Sequence, residues 1–174
     1  MSEKTFDTRV LAEVSITVAL SIVLNYIKIF QMPYGGSITL GSMVPVVLLA
    51  LRRGWKIGIF SGVVFGLVQL VLDGYIGMYH PISLLLDYPL AFGCLGLAGF
   101  FKKNPIIGVF VALTGRLISH FVSGVVFFGM YAPEGMSPVV YSAIYNASYM
   151  VPEMIITGII IYFVWKRMPS TLNV

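Results

Sequence analysis

The sequence predicts an all-α polytopic membrane protein, a bundle of six transmembrane helices. Three observations favour this fold class: 58% of the 174 residues are hydrophobic, only 10% are charged, and the mean hydropathy is +0.93. Soluble domains carry roughly a quarter charged residues, and a soluble chain this apolar would expose patches that aggregate. Six spans of about 20 residues use most of the chain, so we expect a single transmembrane domain over 1–174.

Six apolar runs, separated by short polar or glycine-containing segments, are predicted to cross the membrane. Their expected bounds are 10–30, 38–51, 57–72, 81–101, 106–130 and 139–165. Charged residues precede the first run, which is long enough to span, so no cleavable signal peptide is expected. The second run is short and carries Gly41 and Pro45, which predicts a partly broken helix.

The basic residues between these runs predict how the helices are oriented. One side of the membrane is expected to hold nine of them: Lys4, Arg9, Arg52, Arg53, Lys56, Lys102, Lys103, Lys166 and Arg167. The other side holds only Lys28, together with the acidic Asp73 and Glu134. Because loops rich in Lys and Arg stay in the cytoplasm, both termini are expected to be cytoplasmic, and the number of spans even. The basic balance is therefore a topology signal, and no nucleic-acid partner is expected.

Several enzyme classes lack their signatures in this chain. It holds no GxxxxGK[ST] phosphate-binding loop, no HExxH or GxSxG motif, and no pair of acids at catalytic spacing, so no enzymatic activity is expected. Asp87 and His120 could be combined as an acid and a base, but no nucleophile or metal set completes them. The lone Cys94 excludes an internal disulfide and a cysteine-rich metal site. Neither a metal nor a cofactor is expected.

Five ionisable residues inside the predicted spans are candidates for function: Glu13, Asp87, Arg116, His120 and Glu153. A charge at the bilayer centre costs at least about 2.5–3.5 kcal/mol, so each is a functional hypothesis by default. For any single residue, hydrogen bonding to a neighbouring helix, worth about 0.6 kcal/mol, is an equally weighted alternative. For Arg116 and Glu153 we favour a structural ion pair between the fifth and sixth helices.

Depth along the helices groups several polar residues together. At 1.5 Å per residue, Asp87 lies about 9 Å below the outer end of the fourth helix. His120 on the fifth helix, and Asn146 and Tyr141 on the sixth, fall in the same layer of the outer leaflet. A carboxylate beside tyrosine rings suits an aromatic cation, which gains charge pairing and cation–π contacts. The layer predicts a pocket for a small cationic aromatic solute, open to the outside.

Helical spacing places further residues on the same faces. Arg116, His120, Gly124 and Phe128 are four residues apart and form one stripe on the fifth helix. Within this stripe, Gly124 would let a flat ligand approach the backbone closely. Two similar stripes are predicted on the neighbouring helices: Ser83, Asp87 and Ala91 on the fourth, and Ser142, Asn146, Tyr149 and Glu153 on the sixth.

The chain resembles a known family in four stretches: MPYGGSITLGSMVPVVLLALRRG (32–54), HPISLLLDYPLAF (80–92), HFVSGVVFFGMYAPEGMSP (120–138) and YSAIYNASYMVP (141–152). The family is the ThiT family, the thiamine-specific substrate-binding subunits (S components) of energy-coupling factor (ECF) transporters. The resemblance extends over nearly the whole length. It implies six membrane helices and a thiamine pocket near the outer surface, with thiamine as the transported ligand.

The resemblance also implies which residues contact thiamine. The binding positions of the family fall on Asp87, Tyr88, His120, Gly124, Phe128, Tyr141 and Asn146. The acid is expected to engage the positive charge, the aromatics to stack on the two rings, and Asn146 and Tyr141 to hydrogen-bond the pyrimidine. A loop aromatic, for which Tyr34 is the candidate, is expected to cover the pocket. A tyrosine before the fourth helix, Tyr79 or Tyr75, is expected to join it. Some members carry Glu in place of Asp87 and Trp in place of Phe128.

The resemblance further implies a partner, a separate transmembrane coupling protein that carries two ATP-binding-cassette ATPases. Small residues on the first helix, Ala12, Ser15 and Ala19, are the expected docking face, because small side chains let helices approach closely. Ordinary packing within the bundle is the alternative. Besides lipid, the expected setting is a bacterial-type plasma membrane. Three other functions stay open: an S component or stand-alone carrier for another small aromatic solute, an intramembrane enzyme acting on a lipid or prenyl substrate, and a structural subunit without ligand.

Overall fold

The computed structural model describes residues 7–168, so the chain ends at 1–6 and 169–174, Lys4 included, lie outside it. Its elements in chain order are α1 Thr8–Tyr26, β1 Lys28–Gln31, β2 Ser37–Thr39, α2 Val44–Arg53, α3 Trp55–Asp73, α4 Pro81–Phe100, α5 Pro105–Phe127 and α6 Pro138–Arg167. Within the described residues, every helix except α2 is long and apolar enough to cross a membrane. The predicted all-α membrane bundle of six helices is confirmed.

The segment between α1 and α2 differs from the predicted spans. The first predicted span reaches residue 30, whereas α1 ends at Tyr26 and β1 follows it. The second predicted span begins at residue 38, whereas that position lies in β2 and α2 begins at Val44. The two strands pair antiparallel. Hydropathy alone does not separate a short apolar strand from the end of a helix, which is why both predicted spans extend into this hairpin.

The turn of the hairpin explains why the chain leaves the helix here. Gly35 and Gly36 have φ angles of 90° and 77°, a left-handed backbone that glycine adopts without steric cost. Pro33 precedes them in the same turn and disfavours a helical conformation of its neighbour. The hairpin therefore reverses the chain above the bundle and brings it back to α2.

Helix α2 lies at the centre of the bundle. Its ten residues measure about 15 Å, half of the hydrocarbon thickness of a bilayer. Most of its side chains are buried: Pro45, Val46, Val47, Leu49, Ala50 and Leu51. All five other helices contact it, so this short helix is enclosed by protein rather than exposed to lipid along its length, as membrane segments of irregular length require.

Helix α4 is irregular at the point where it carries the predicted acid. It begins as an α-helix, widens to a π-helical turn over Leu86–Leu90 and ends as a 3₁₀-helix over Cys94–Phe100. Pro89 lies inside the wide turn; it has no N–H to donate, which breaks the regular hydrogen-bond ladder. The wide turn lets the consecutive residues Asp87 and Tyr88 both border one cavity. Such turns are frequent at functional sites.

Glycines hold α4 directly against α3. A Cβ atom at Gly62 would lie 2.1 Å from the carbonyl oxygen of Phe92, and one at Gly66 would lie 2.6 Å from that of Tyr88. A Cβ at Gly96 would lie 2.0 Å from the backbone nitrogen of Ile59. The two backbones are therefore in contact, as small residues permit in membrane helices. This contact sets the position of the π-helical turn in the bundle.

Candidate ligand-binding site

A cavity lies under the hairpin, between α3, α4, α5 and α6. Together with its opening, it encloses about 1150 Å³ of space that protein atoms do not fill. All nine sequence-predicted contact residues border it: Tyr34, Tyr79, Asp87, Tyr88, His120, Gly124, Phe128, Tyr141 and Asn146. Tyr75 borders it too, so both alternatives before the fourth helix are present. The structure brings these side chains together, and their contact with a ligand stays a prediction.

Asp87 forms the acidic part of the cavity. One carboxylate oxygen lies 2.9 Å from Nδ1 of His120, and the other accepts a 2.6 Å hydrogen bond from the hydroxyl of Ser123. The Asp87 side chain is 22% exposed and that of His120 is 11% exposed. A carboxylate oxygen can accept more than one hydrogen bond, so Asp87 is fixed by protein donors while it remains accessible to a ligand. The predicted juxtaposition of the acid and the imidazole is present.

Arg116 continues this network away from Asp87. Its Nε–H donates to Nε2 of His120 at 3.2 Å, and its guanidinium carbon lies 4.1 Å from the ring centre of Phe92. The predicted ion pair between Arg116 and Glu153 is wrong, because no such pair forms among residues 7–168. Glu153 instead accepts a hydrogen bond from the backbone N–H of Thr39. The unpredicted hairpin supplies this donor, while Arg116 turns along its own helix towards His120.

Asn146 is oriented by its neighbours on α5 and α6. Its amide nitrogen donates to the carbonyl of Ser142 at 2.9 Å and lies 3.4 Å from the carbonyl of His120. Its amide oxygen accepts a 2.7 Å hydrogen bond from the hydroxyl of Tyr149. Because an amide oxygen has two lone pairs, the remaining one can accept a hydrogen bond from an amino group of a ligand.

Gly124 borders the cavity, but side chains of α6 fill the space beside its backbone. A Cβ atom at this position would lie 2.3 Å from the hydroxyl oxygen of Ser142 and 3.1 Å from the amide nitrogen of Asn146. The expectation that Gly124 admits a flat ligand to the backbone is therefore replaced by a packing role. The glycine lets α6 approach α5 closely enough for Ser142 to donate to the carbonyl of Phe121 at 2.8 Å.

Aromatic rings form the upper wall of the cavity near the hairpin. The ring of Phe128 lies between Tyr79, at a centroid distance of 5.4 Å, and Tyr131, at 6.3 Å. Tyr131 in turn stacks on Tyr34 of the hairpin turn at 4.6 Å. Tyr141 lies 5.7 Å from Tyr145 on α6. Ring faces above a carboxylate are the arrangement that attracts a flat cation.

Sequence reasoning missed a second carboxylate at the cavity. Asp73, treated there only as a loop charge, accepts hydrogen bonds from the Tyr88 hydroxyl at 2.9 Å and from the Gln69 amide at 2.8 Å. Burial, followed by the nearby Asp73 charge, raises the pKa of Tyr75, so this tyrosine stays a neutral phenol. The available signal was the i, i+4 spacing of Gln69 and Asp73 at the end of an otherwise apolar helix.

A stripe on α6 that holds the hairpin was also missed. Tyr145 accepts a 3.1 Å hydrogen bond from the backbone N–H of Tyr34 and donates one of 2.7 Å to the carbonyl of Gly35. Tyr149, one turn further, packs so closely on Gly36 that a Cβ there would lie 2.8 Å from its ring. Together with the hydrogen bond from Thr39 to Glu153, these contacts join one face of α6 to the hairpin from its tip to its base. The sequence shows the four-residue spacing of Tyr145, Tyr149 and Glu153, but it does not show that this face of α6 packs on the hairpin.

The geometry supports binding and contains no hydrolytic arrangement among the described residues. A Ser-His-Asp triad needs the serine to donate to the imidazole, whereas Ser123 donates to Asp87 and Nε2 of His120 is taken by Arg116. Within residues 7–168, no group of three His, Cys, Asp or Glu side chains could hold a metal ion. What the cavity offers is charged, hydrogen-bonding and aromatic side chains.

Comparison with known proteins relates the chain to transporters. A family model described as thiamine transporter protein (Thia_YuaJ) matches residues 11–173. Thiamine transporter ThiT of Bacillus subtilis (strain 168) is 34% identical, over 94% of this chain and 93% of that protein. Its counterpart in Lacticaseibacillus paracasei is 29% identical, over 87% and 84%. The solved structure of ThiT from Listeria monocytogenes has a TM-score of 0.81 at 27% identity and covers 92% of this chain and 95% of that chain.

Proposed function

Because the chain belongs to the thiamine transporter protein family (Thia_YuaJ), we propose that it is the substrate-binding membrane subunit of an ATP-driven vitamin importer. It binds thiamine in the cavity under the hairpin. The observation that carries this proposal is the Asp87 carboxylate, held by His120 and Ser123 beneath a wall of aromatic rings. Family membership and the spanning helices make the chain a multi-pass cell-membrane protein.

The cavity matches the chemistry of thiamine group by group. Thiamine combines a permanently positive thiazolium ring with an aminopyrimidine ring. Asp87 supplies the opposite charge, and the faces of Phe128 and Tyr79 supply cation–π and stacking contacts, which strengthen when water is excluded. The free lone pair of the Asn146 amide oxygen suits the amino group of the pyrimidine. These contacts need no group transfer, so the subunit binds its solute without altering it.

The hairpin covers the bound solute. Tyr34 borders the cavity from above and reaches it because Tyr145 holds both neighbouring backbone groups of the turn. Excluding water lowers the local dielectric and strengthens the attraction between Asp87 and a cation. The two hydrogen bonds that hold the turn to Tyr145 each contribute only about 0.5–1.5 kcal/mol net, so the tip of the hairpin can open for exchange with solvent.

The cavity opens to the outside of the cell in this proposal. The cavity-lining Asp73 lies at one end of α3, and Lys56 lies at the other, about 26 Å away at 1.5 Å per residue. Arg52 and Arg53 precede α3 at that same far end. Since basic residues flank helices on the cytoplasmic side, the cavity and the hairpin belong to the opposite side.

In this proposal the transport energy comes from a separate coupling protein with two ATP-binding-cassette ATPases, and the sequence itself has no GxxxxGK[ST] loop. On α1, Val10, Val14 and Val18 are buried, whereas Ala12, Ser15 and Ala19 are exposed. Their exposure favours a partner surface over packing within the bundle. Small exposed side chains let a partner helix approach closely, which supports α1 as the docking face.

Titration calorimetry tests the ligand. The purified protein in detergent is expected to bind thiamine tightly with one site per chain. A dissociation constant in the millimolar range, equivalent to only about 4 kcal/mol, would reject thiamine as the solute.

Pull-down with the coupling protein tests the docking face separately. Ala19→Trp is expected to abolish capture while thiamine binding is retained, since the bulky ring keeps the helices apart. Leu67→Trp, at an exposed position of α3, is the control and should be captured normally. Retained capture of Ala19→Trp would place the docking face elsewhere.

A further inference from the structure

We propose that Arg116 is a positioning residue that locks His120 in one neutral tautomer, with its proton on Nδ1 facing Asp87. The consequence for cation binding rests on the proposed function. The proton assignment itself does not, since it follows from the contacts of three side chains.

The hydrogen bond between Arg116 and His120 can have only one direction. The guanidinium Nε–H points at Nε2 of the imidazole, with 3.2 Å between the nitrogens. Arginine stays protonated in proteins and carries only donors. Nε2 of His120 must therefore be the acceptor and carry no hydrogen.

The protonation of the other ring nitrogen of His120 follows from this direction. A neutral imidazole has one donor and one acceptor nitrogen, so the hydrogen of His120 is on Nδ1. This nitrogen lies 2.9 Å from a carboxylate oxygen of Asp87, and the contact is an N–H donation to an ionised acid. Both nitrogens are then used by the protein, and only the face and edge of the ring remain for a ligand.

The neutral tautomer of His120 also determines the charge that a ligand meets at Asp87. If His120 were an imidazolium, it would pair with Asp87 and cancel the charge that attracts a cation. Protonation of Nε2 would also set an N–H against the Nε–H of Arg116, two donors at hydrogen-bond distance. Arg116 prevents this while its own guanidinium stays over the ring of Phe92 and reaches Asp87 only through His120. The charge of Asp87 thus remains available.

Other charged and titratable groups around His120 hydrogen-bond to residues other than His120. From α6, the ring of Tyr149 lies 6.1 Å from the imidazole and its hydroxyl donates to Asn146. One carboxylate oxygen of Glu153, on the same helix, accepts from the backbone N–H of Thr39, and the other has no hydrogen-bond partner among residues 7–168. The carboxylate of Asp73, at the end of α3, accepts hydrogen bonds from Gln69 and Tyr88. The proton on His120 is therefore governed by Arg116 and Asp87.

Nitrogen-15 NMR of the imidazoles tests the tautomer without any ligand. The sequence has only two histidines, His80 and His120, so a His80→Gln variant assigns the spectrum. Between pH 6 and pH 8, His120 is expected to show a protonated Nδ1 and an unprotonated Nε2. A protonated Nε2 in this range would overturn the proposal, whether or not the protein binds thiamine.

Binding as a function of pH tests the consequence. Arg116→Met removes the donor at Nε2, so this nitrogen is free to take up a proton when the pH falls. Thiamine should then bind several-fold more weakly at pH 6 than at pH 8, because an imidazolium would cancel the charge of Asp87. The wild type at both pH values is the reference for any titration of thiamine itself. A merely structural role of Arg116 would lower affinity equally at both pH values, and this result would contradict the proposal.

Two further variants keep the test decisive. Arg116→Lys retains an N–H donor and should bind thiamine with the pH dependence of the wild type. Adding His120→Gln to Arg116→Met removes the titrating ring and should abolish the extra pH dependence. If Arg116→Met does not fold, the NMR result on the wild type decides alone. If the wild type binds no thiamine, the proposed function fails and the tautomer is still settled by NMR.

Discussion

The two walls of the cavity are held by different kinds of contact. On one side, α3 and α4 touch backbone to backbone through Gly62, Gly66 and Gly96. On the other side, the hairpin rests on α6 through the hydroxyl of Tyr145 and the ring of Tyr149. The first contact is a continuous packed interface, and the second is a small set of hydrogen bonds and one ring.

This difference separates the part of the site that must be rigid from the part that must move. The glycine interface fixes the π-helical turn, and with it the carboxylate of Asp87. The hairpin carries Tyr34 over the cavity, where a ligand has to enter and leave. Local opening costs least where few buried contacts are lost. We therefore expect changes at the glycine interface to affect stability, changes at Asp87 to affect affinity, and changes at Tyr145 to affect exchange rates.

The largest effect is expected from Gly62→Val. Its Cβ would lie 2.1 Å from the carbonyl oxygen of Phe92, a backbone atom that cannot move aside, so the two helices must separate. Overpacking of this kind costs about 1–3 kcal/mol and occasionally more. Thermal unfolding in detergent should show a clear fall in the midpoint or no folded protein. Gly158→Val on α6, where a Cβ meets nothing within 4 Å, is the control and should unfold near the wild-type temperature.

Asp87→Asn is expected to weaken thiamine binding by at least about tenfold, or 1.4 kcal/mol, without changing the unfolding temperature. The amide keeps the shape of the side chain but removes the charge. Calorimetry measures this effect. Glu13→Gln is the matched control, because Glu13 pairs with Arg53 near the end of α2 remote from the cavity. Equal losses in both variants would mean that the effect is not local to the cavity.

The smallest effect is expected from Tyr145→Phe. It removes both hydrogen bonds to the turn of the hairpin, each worth about 0.5–1.5 kcal/mol, and leaves the ring in place. Thiamine should dissociate several-fold faster in stopped-flow measurements, with unfolding unchanged. Tyr162→Phe, an exposed tyrosine on the same helix, should dissociate at the wild-type rate. If the dissociation rate of Tyr145→Phe is unchanged, this tyrosine does not hold the cover.

Sequence reasoning predicted the bundle and the residues around the cavity because both depend on local rules. Hydropathy marks helices, and the rise per residue places Asp87, His120 and Asn146 at one depth. It did not predict the hairpin: the segment with Gly35 and Gly36 is recognisable as a loop, but the short apolar strands on either side of it resemble helix ends. The hydrogen-bond partners of buried polar groups could not be predicted either, because they depend on which helices face each other in the bundle.

Arg116 illustrates this limit. Its position in the stripe with His120 was visible from their four-residue spacing, yet Glu153 was preferred as its partner. One oxygen of Glu153 accepts instead from the backbone N–H of Thr39, and only the fold brings these residues together. Asp73 was overlooked for a similar reason, because its role depends on Tyr88 from another helix. Depth alone therefore assigns residues to a layer without assigning their contacts.

A double-mutant cycle between protein and ligand tests the central claim that the Asp87 carboxylate binds the positive charge of the solute. Calorimetry would compare thiamine with an uncharged analogue in which carbon replaces the thiazolium nitrogen, on wild type and on Asp87→Asn. The wild type should prefer thiamine, and the variant should lose at least about tenfold of that preference, a coupling of about 1.4 kcal/mol. Equal preference in the two proteins would contradict the claim.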